Sequence, residues 1–201
     1  MELNLKITPE TFEKDFDRIA NDLMNNWVLA VNETHYRLTE IEFYCKSVAA
    51  DGPIKDPYAH GHPEQLKSGK WYFHGSGLDL TFGCQEYYGG ILVRGLQKLN
   101  DGKHITGPLN SIAEIISSLG SCELKKIDLG FLEAKAFDFK LKNLIKAPRV
   151  GLNSGKDEIA HKKLFRYLVF PQETKRDKSI IIDSLVSQGI ERKEAEKLVY
   201  K

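Results

Sequence analysis

The segment from Trp27 to Cys45, WVLAVNETHYRLTEIEFYC, limits the possible folds more than any other part of the chain. An apolar run, a polar break at Asn32–His35 and a second run alternating with period two predict two antiparallel strands joined as a hairpin. Alternation places Leu38, Glu40, Glu42 and Tyr44 on one face and Thr39, Ile41 and Phe43 on the other. Ile41 and Phe43 mark the core face. Two carboxylates and a tyrosine therefore share the second face, turned either to water or to something the protein binds. Antiparallel sheets often leave one face solvated, so periodicity alone leaves both readings open.

The other elements follow from the same rules. Thr8 as N-cap and Pro9 at the first helical position predict a helix, with Phe12, Phe16, Ile19, Ala20 and Leu23 on its apolar face. KWYFHGSGLDLTFG and GGILVRGLQKL supply further strands, the second apolar enough to be buried, and KKLFRYLVF predicts a last strand before Pro171. GPLNSIAEIISSL predicts a helix with Ile112, Ile115 and Ile116 on one stripe. Lys46 to Gly69 is rich in Pro and Gly and reads as loop, of a length that in a compact domain usually serves function. SIIIDSLVSQG and IERKEAEKLVYK, split by Gly189, predict two short amphipathic helices that serve as a docking or packing element.

Composition limits partners rather than fold. The 29 Lys and Arg against 28 Asp and Glu leave a formal charge of +1, so any nucleic-acid contact has to come from a local patch. The first residues carry no secretory pattern and no stretch has the length to span a bilayer, which predicts a cytoplasmic protein without a membrane partner. Three scattered cysteines, Cys45, Cys84 and Cys122, form no C-x-x-C pair and read as reduced structural thiols.

Strand KWYFH repeats the pattern of the hairpin: Trp71 and Phe73 share one face, Tyr72 and His74 the other. Between the two polar-aromatic strands lies the loop DPYAHGH, with His60 and His62. A carboxylate ringed by Tyr and His suits a flat, electron-poor ring such as a nucleobase. His60 and His62, with Asp56, Cys45 or His74, match no zinc spacing, so no metal is expected. Gly75–Ser76–Gly77 lacks the context of a phosphate loop and reads as a turn or bulge.

Taken in order, NDLMNNWVLAV, YRLTEIEFY, DPYAH, SGKWYFH, GGILVRGL, GPLNSIAEII, PRVGL and KKLFRYLV resemble the alkyladenine (3-methyladenine) DNA glycosylases of the animal and bacterial type, over residues 12 to 172. The resemblance implies an α+β fold of that type, one domain over residues 1–172 built on a curved antiparallel sheet with surrounding helices. A helical appendage follows at 173–201, with residues 178–201 open to a protein partner. It implies hydrolysis of an N-glycosidic bond in DNA, with Glu42 as the catalytic carboxylate and Arg94 as the arginine ending the buried strand. Tyr44, His60, Tyr72 and His74 would hold the extruded base, and Arg149, Lys162 and Lys163, with Lys156 and Arg166 in the same basic run, would meet the nucleic acid. It implies no metal and no organic cofactor. His74 stands where the family has a second pocket tyrosine, and the small Gly75–Ser76–Gly77 turn stands where the family has a wedge. The basic loop is cut down to GHPEQLKS. These departures favour a single-stranded or nucleoside substrate as the alternative, or a module that binds a modified base without catalysis.

Overall fold

A computed structural model describes residues 3–120, 127–138 and 140–200. Helix α1 (Phe12–Asn25) precedes the hairpin β1 (Trp27–Val31) and β2 (Thr34–Ser47); β3 (Ser68–His74), β4 (Gly77–Phe82), β5 (Tyr87–Lys98) and β6 (His104–Thr106) follow. After α2 (Pro108–Leu119) come the short strands β7 (Leu129–Glu133), β8 (Ile145–Ala147) and β9 (Arg166–Leu168), then α3 (Lys178–Ser187) and α4 (Arg192–Tyr200). The strands form one antiparallel sheet in the order β3-β4-β5-β2-β1-β7, curled into a half-barrel. β6 extends the free edge of β5, and β9 pairs with β2 beyond the end of β1, carrying β8 with it. The chain is a single α+β domain, and no helix among the described residues is long and apolar enough to cross a membrane.

The predicted first helix begins one turn later than its sequence suggests. Thr8 to Thr11 form a turn closed by the Thr11 N–H on the Thr8 carbonyl, and Thr11 is the N-cap. Phe16, Ile19, Ala20 and Leu23 are buried as expected, and the Phe16 ring stacks on Phe43 of β2 at 4.3 Å. This contact seats α1 on the face of the sheet carrying Ile41, Phe82, Ile91 and Val93. On α2 only part of the expected stripe is buried: Ile115 is fully enclosed, Ile112 packs partly, and Ile116 is exposed. The Tyr36 hydroxyl ties that helix to β2 by donating to Glu114.

The face assignment along β2 needs correction. Register shifts between Leu38 and Glu40, and again between Glu40 and Ile41, mark a β-bulge against β5. Before the bulge Tyr36 and Leu38 join the core, and after it Ile41, Phe43 and Cys45 do. Leu38 therefore leaves the face it would share with Glu40, Glu42 and Tyr44 in an unbroken strand. Cys45 is enclosed, and burial pushes its thiol well above the ordinary range; Cys122 lies outside the described residues.

The C-terminal helices carry a second apolar cluster. Ile181, Ile182, Leu185, Ala195 and Val199 enclose Ile145, Ala147 and Leu168 of β8 and β9. Their apolar faces are thus spent on the extension of the sheet, leaving Ile180, Val186, Leu198 and Tyr200 outward. Because Ile181 is fully buried in this cluster, Ile181→Ala should lower the stability of the whole chain by ~2–5 kcal/mol. Denaturant unfolding should keep one transition at a lower midpoint. A separate early transition for the tail would mean that it folds independently of the sheet.

Candidate functional site

The bulge turns Glu40 and Glu42 together toward Arg94 of β5 and Arg166 of β9. The Glu40 carboxylate accepts from Arg94 Nε at 2.8 Å and from Arg166 Nε at 2.9 Å. Glu42 is completely buried: its Oε1 accepts from the Val150 N–H at 2.7 Å and lies 3.2 Å from Arg94 Nε, and its Oε2 accepts from the Tyr44 hydroxyl at 2.7 Å. Two carboxylates face two guanidiniums, so the buried charge balances. Burial pushes the Glu42 carboxyl above the ordinary carboxylate range, and Arg94, the Tyr44 hydroxyl and the Val150 amide draw it part of the way back. Burial works against the charge on Arg94, but Glu42 and Glu40 outweigh it and hold the guanidinium protonated. Burial, and then the Glu42 charge, raise the Tyr44 phenol, which therefore keeps the proton it donates.

Above this group opens a cavity of about 350 Å³, whose walls include Tyr44, Tyr58, His60, His74, Arg94 and Val150. Arg149 backs the Tyr44 ring with its guanidinium 4.6 Å from the ring centroid, and a fork to Asp56 at 2.6 and 3.0 Å holds it there. Asp56 lies in the loop that carries His60, so one ion pair fixes both Tyr44 and that loop. On the facing wall, the Ser76 N–H donates to His74 Nδ1 at 3.3 Å and His74 Nε2 meets Asp79 Oδ1 at 3.1 Å. This pattern places the imidazole proton on Nε2. Gln65 donates to the other Asp79 oxygen at 3.0 Å while its carbonyl accepts from the Gly61 and His62 N–H groups, locking the histidine loop to β4. Gly90 makes room for this pair: a Cβ there would lie 2.4 Å from Asp79 Oδ2 and 2.7 Å from Gln65 Nε2.

The structure brings Tyr44, His60, His74 and Arg94 to one cavity; Glu42 does not line it but lies behind its wall, bonded to the Tyr44 hydroxyl and the Val150 amide and 3.2 Å from Arg94. Tyr72 stands behind this wall, its ring stacked between His74 at 5.1 Å and His62 at 4.7 Å, where it supports His74. His60 meets His74 edge to face at 5.2 Å. The basic run does not form the expected nucleic-acid surface. Arg149 has no exposed side-chain surface and is committed to Asp56, and Arg166 is buried in the carboxylate group. Lys163 is half-buried, pairing with Glu13 at 2.8 Å and packing over Phe12 and Phe165. Lys162 and Lys156 are exposed. Both arginines were read as surface charge because the acids that neutralise them lie far away in sequence. Sequence reasoning also missed Asp79 and Gln65, for which Gly90 inside an apolar strand was the available signal of a close approach, and Tyr58, for which there was none.

No family model matches the chain. It is similar to an uncharacterized protein of Acanthamoeba polyphaga mimivirus, 28% identical over 204 residues, which take in 84% of this chain and 92% of that protein.

The hydrogen bonds, not the charge count, make the two glutamates unequal. Glu40→Gln removes the carboxylate that accepts from both Arg94 and Arg166 and should destabilise the fold by ~3–5 kcal/mol, the usual cost of breaking a buried pair. Glu42→Gln leaves Glu40 bonded to both arginines and should cost clearly less. Equal midpoints for the two variants in chemical denaturation would contradict this.

Proposed function

We propose that the chain is an N-glycosylase that hydrolyses the N-glycosidic bond of an alkylated or deaminated purine, on a fold of the alkyladenine glycosylase type. The observation that carries this reading is the position of the Glu42 carboxylate. It lies under a cavity walled by Tyr44, His60 and His74, whose volume is within the ~300–1,000 Å³ typical of small-molecule sites. A purine entering there meets aromatic faces on two sides, which favour a ring made electron-poor by alkylation.

In this reading the bond from the sugar to the base nitrogen breaks with its electron pair leaving on the base, and water supplies the new bond to the anomeric carbon. Glu42 takes the proton of that water. A base made cationic by N-alkylation departs neutral without further help, whereas a deaminated purine leaves as an anion and takes up the proton that Glu42 received from the water. A carboxyl raised by burial is suited to both transfers. The Tyr44 hydroxyl closes Glu42 Oε2, so it has to give way as substrate and water enter.

Single-stranded nucleic acid is favoured over duplex by the β3–β4 turn. His74 pairs with Gly77, and the turn residues between them, Gly75 and Ser76, are small and exposed, offering no side chain to fill the gap left by an extruded base.

Base release from single-stranded and duplex oligonucleotides carrying 3-methyladenine, hypoxanthine or etheno-adenine tests the proposal. Under single-turnover conditions Glu42→Gln should slow release by at least ~10²-fold, the lower end expected for a general base, with little change in binding. In the wild type, release should fall as pH drops through the raised carboxyl range, because protonation removes the base; the Glu42→Gln residue should lack that limb. No release from any substrate by a folded, base-binding protein would leave a non-catalytic modified-base module.

A further inference from the structure

A second cavity, of about 440 Å³, adjoins the first across Arg94, Pro108 and Val150, which line both. Its remaining walls come from Thr106, the start of α2 and the segment Thr174–Arg176. Several independent features make it a place for an anion. The α2 helix opens after Gly107, at φ 95, with no side chain capping it, and among the described residues the N–H groups of Leu109 and Asn110 have no acceptor. The Arg94 side chain is nine-tenths buried, yet only its Nε is hydrogen-bonded, to Glu40; neither Nη group donates to any described residue, and both cavities are lined by this side chain. Lys175 and Arg176 are exposed at the rim, with no ion pair among the described residues. Among the described residues Glu40 is the one carboxylate on the walls of this second cavity, and it is already neutralised by Arg94 and Arg166.

We propose that this second cavity binds the phosphate of the same nucleotide whose base occupies the first. Arg94 bridges the two, its Nε holding the carboxylates and its Nη groups turned to the incoming anion. The α2 amides and the two rim cations complete the shell. The substrate is then a phosphate-bearing nucleotide within a strand rather than a free nucleoside. This rests on the reading of the first cavity as a base site.

Isothermal titration with etheno-deoxyadenosine, its monophosphate and inorganic phosphate separates the possibilities, using the full chain and the double variant Lys175→Ser, Arg176→Ser. The monophosphate should bind at least ~10-fold more tightly than the nucleoside, the lower end for one charge-assisted hydrogen bond. The double variant should lose that gain while binding the nucleoside as before. Equal affinity for nucleoside and monophosphate, or a gain undiminished by the double substitution, overturns the phosphate site and leaves the base cavity standing. If the nucleoside fails to bind while inorganic phosphate and the monophosphate bind equally, and both are lost in the double variant, the phosphate site stands and the base cavity falls. Absence of binding by all three probes removes both.

Discussion

The contact of Glu40 and Glu42 with Arg94 and Arg166 is the interaction on which the rest of the site depends. It joins β2, β5 and β9 at the centre of the sheet and lies beneath both cavities. Burying four charges costs several kcal/mol per ion, and apolar side chains of similar volume often give equal or greater stability. Stability is therefore a weak reason to keep them. Arg94 Nε spans both carboxylates, and Glu42 also accepts from Tyr44 and Val150, so the group ties three wall residues of the first cavity to the centre of the sheet.

This group exists because β2 is irregular. A one-residue irregularity near Thr39 and Glu40 changes which side chains face the core, and Gly95 on the opposite strand permits it: a Cβ at Gly95 would approach Thr39 Oγ1 to 2.7 Å. The period-two pattern of residues 38–45 could not reveal this, since Leu38 fits the alternation as well as Tyr44 does. The bulge is set by the partner strand, fifty residues away in sequence. From Ile41 onward the alternation holds, and with it the placement of Glu42 and Tyr44. The hairpin, the buried β5 and the two C-terminal helices were legible for a simpler reason: each is fixed by local apolar periodicity and by turn residues.

Buried polar partners were the illegible part. Arg149 and Arg166 look like a surface patch in a sequence because the acids that bind them are distant along the chain; in space each faces a carboxylate from another element, Asp56 and Glu40. Asp79 and Gln65 likewise sit in ordinary strand and loop sequence, and only the side-chain-free Gly90 betrays their approach to β5. The aromatic residues were easier, since Tyr44, His60 and His74 stand out by type, and two strands with a loop between them can bring them together in few ways. The tail shows the same division. Its helices are written in the apolar pattern, but the surface they cover, β8 and β9, is too short to stand out.

In the proposed reaction the cavity over Glu42 receives a base turned out of a strand. A crystal structure of the Glu42→Gln variant with a single-stranded oligonucleotide carrying one hypoxanthine tests it most directly. The base should lie between Tyr44 on one side and His60 and His74 on the other, with its sugar above Arg94 and Val150. An oligonucleotide bound with the hypoxanthine outside this cavity, and the walls at Tyr44 and His74 unchanged and empty, would contradict it.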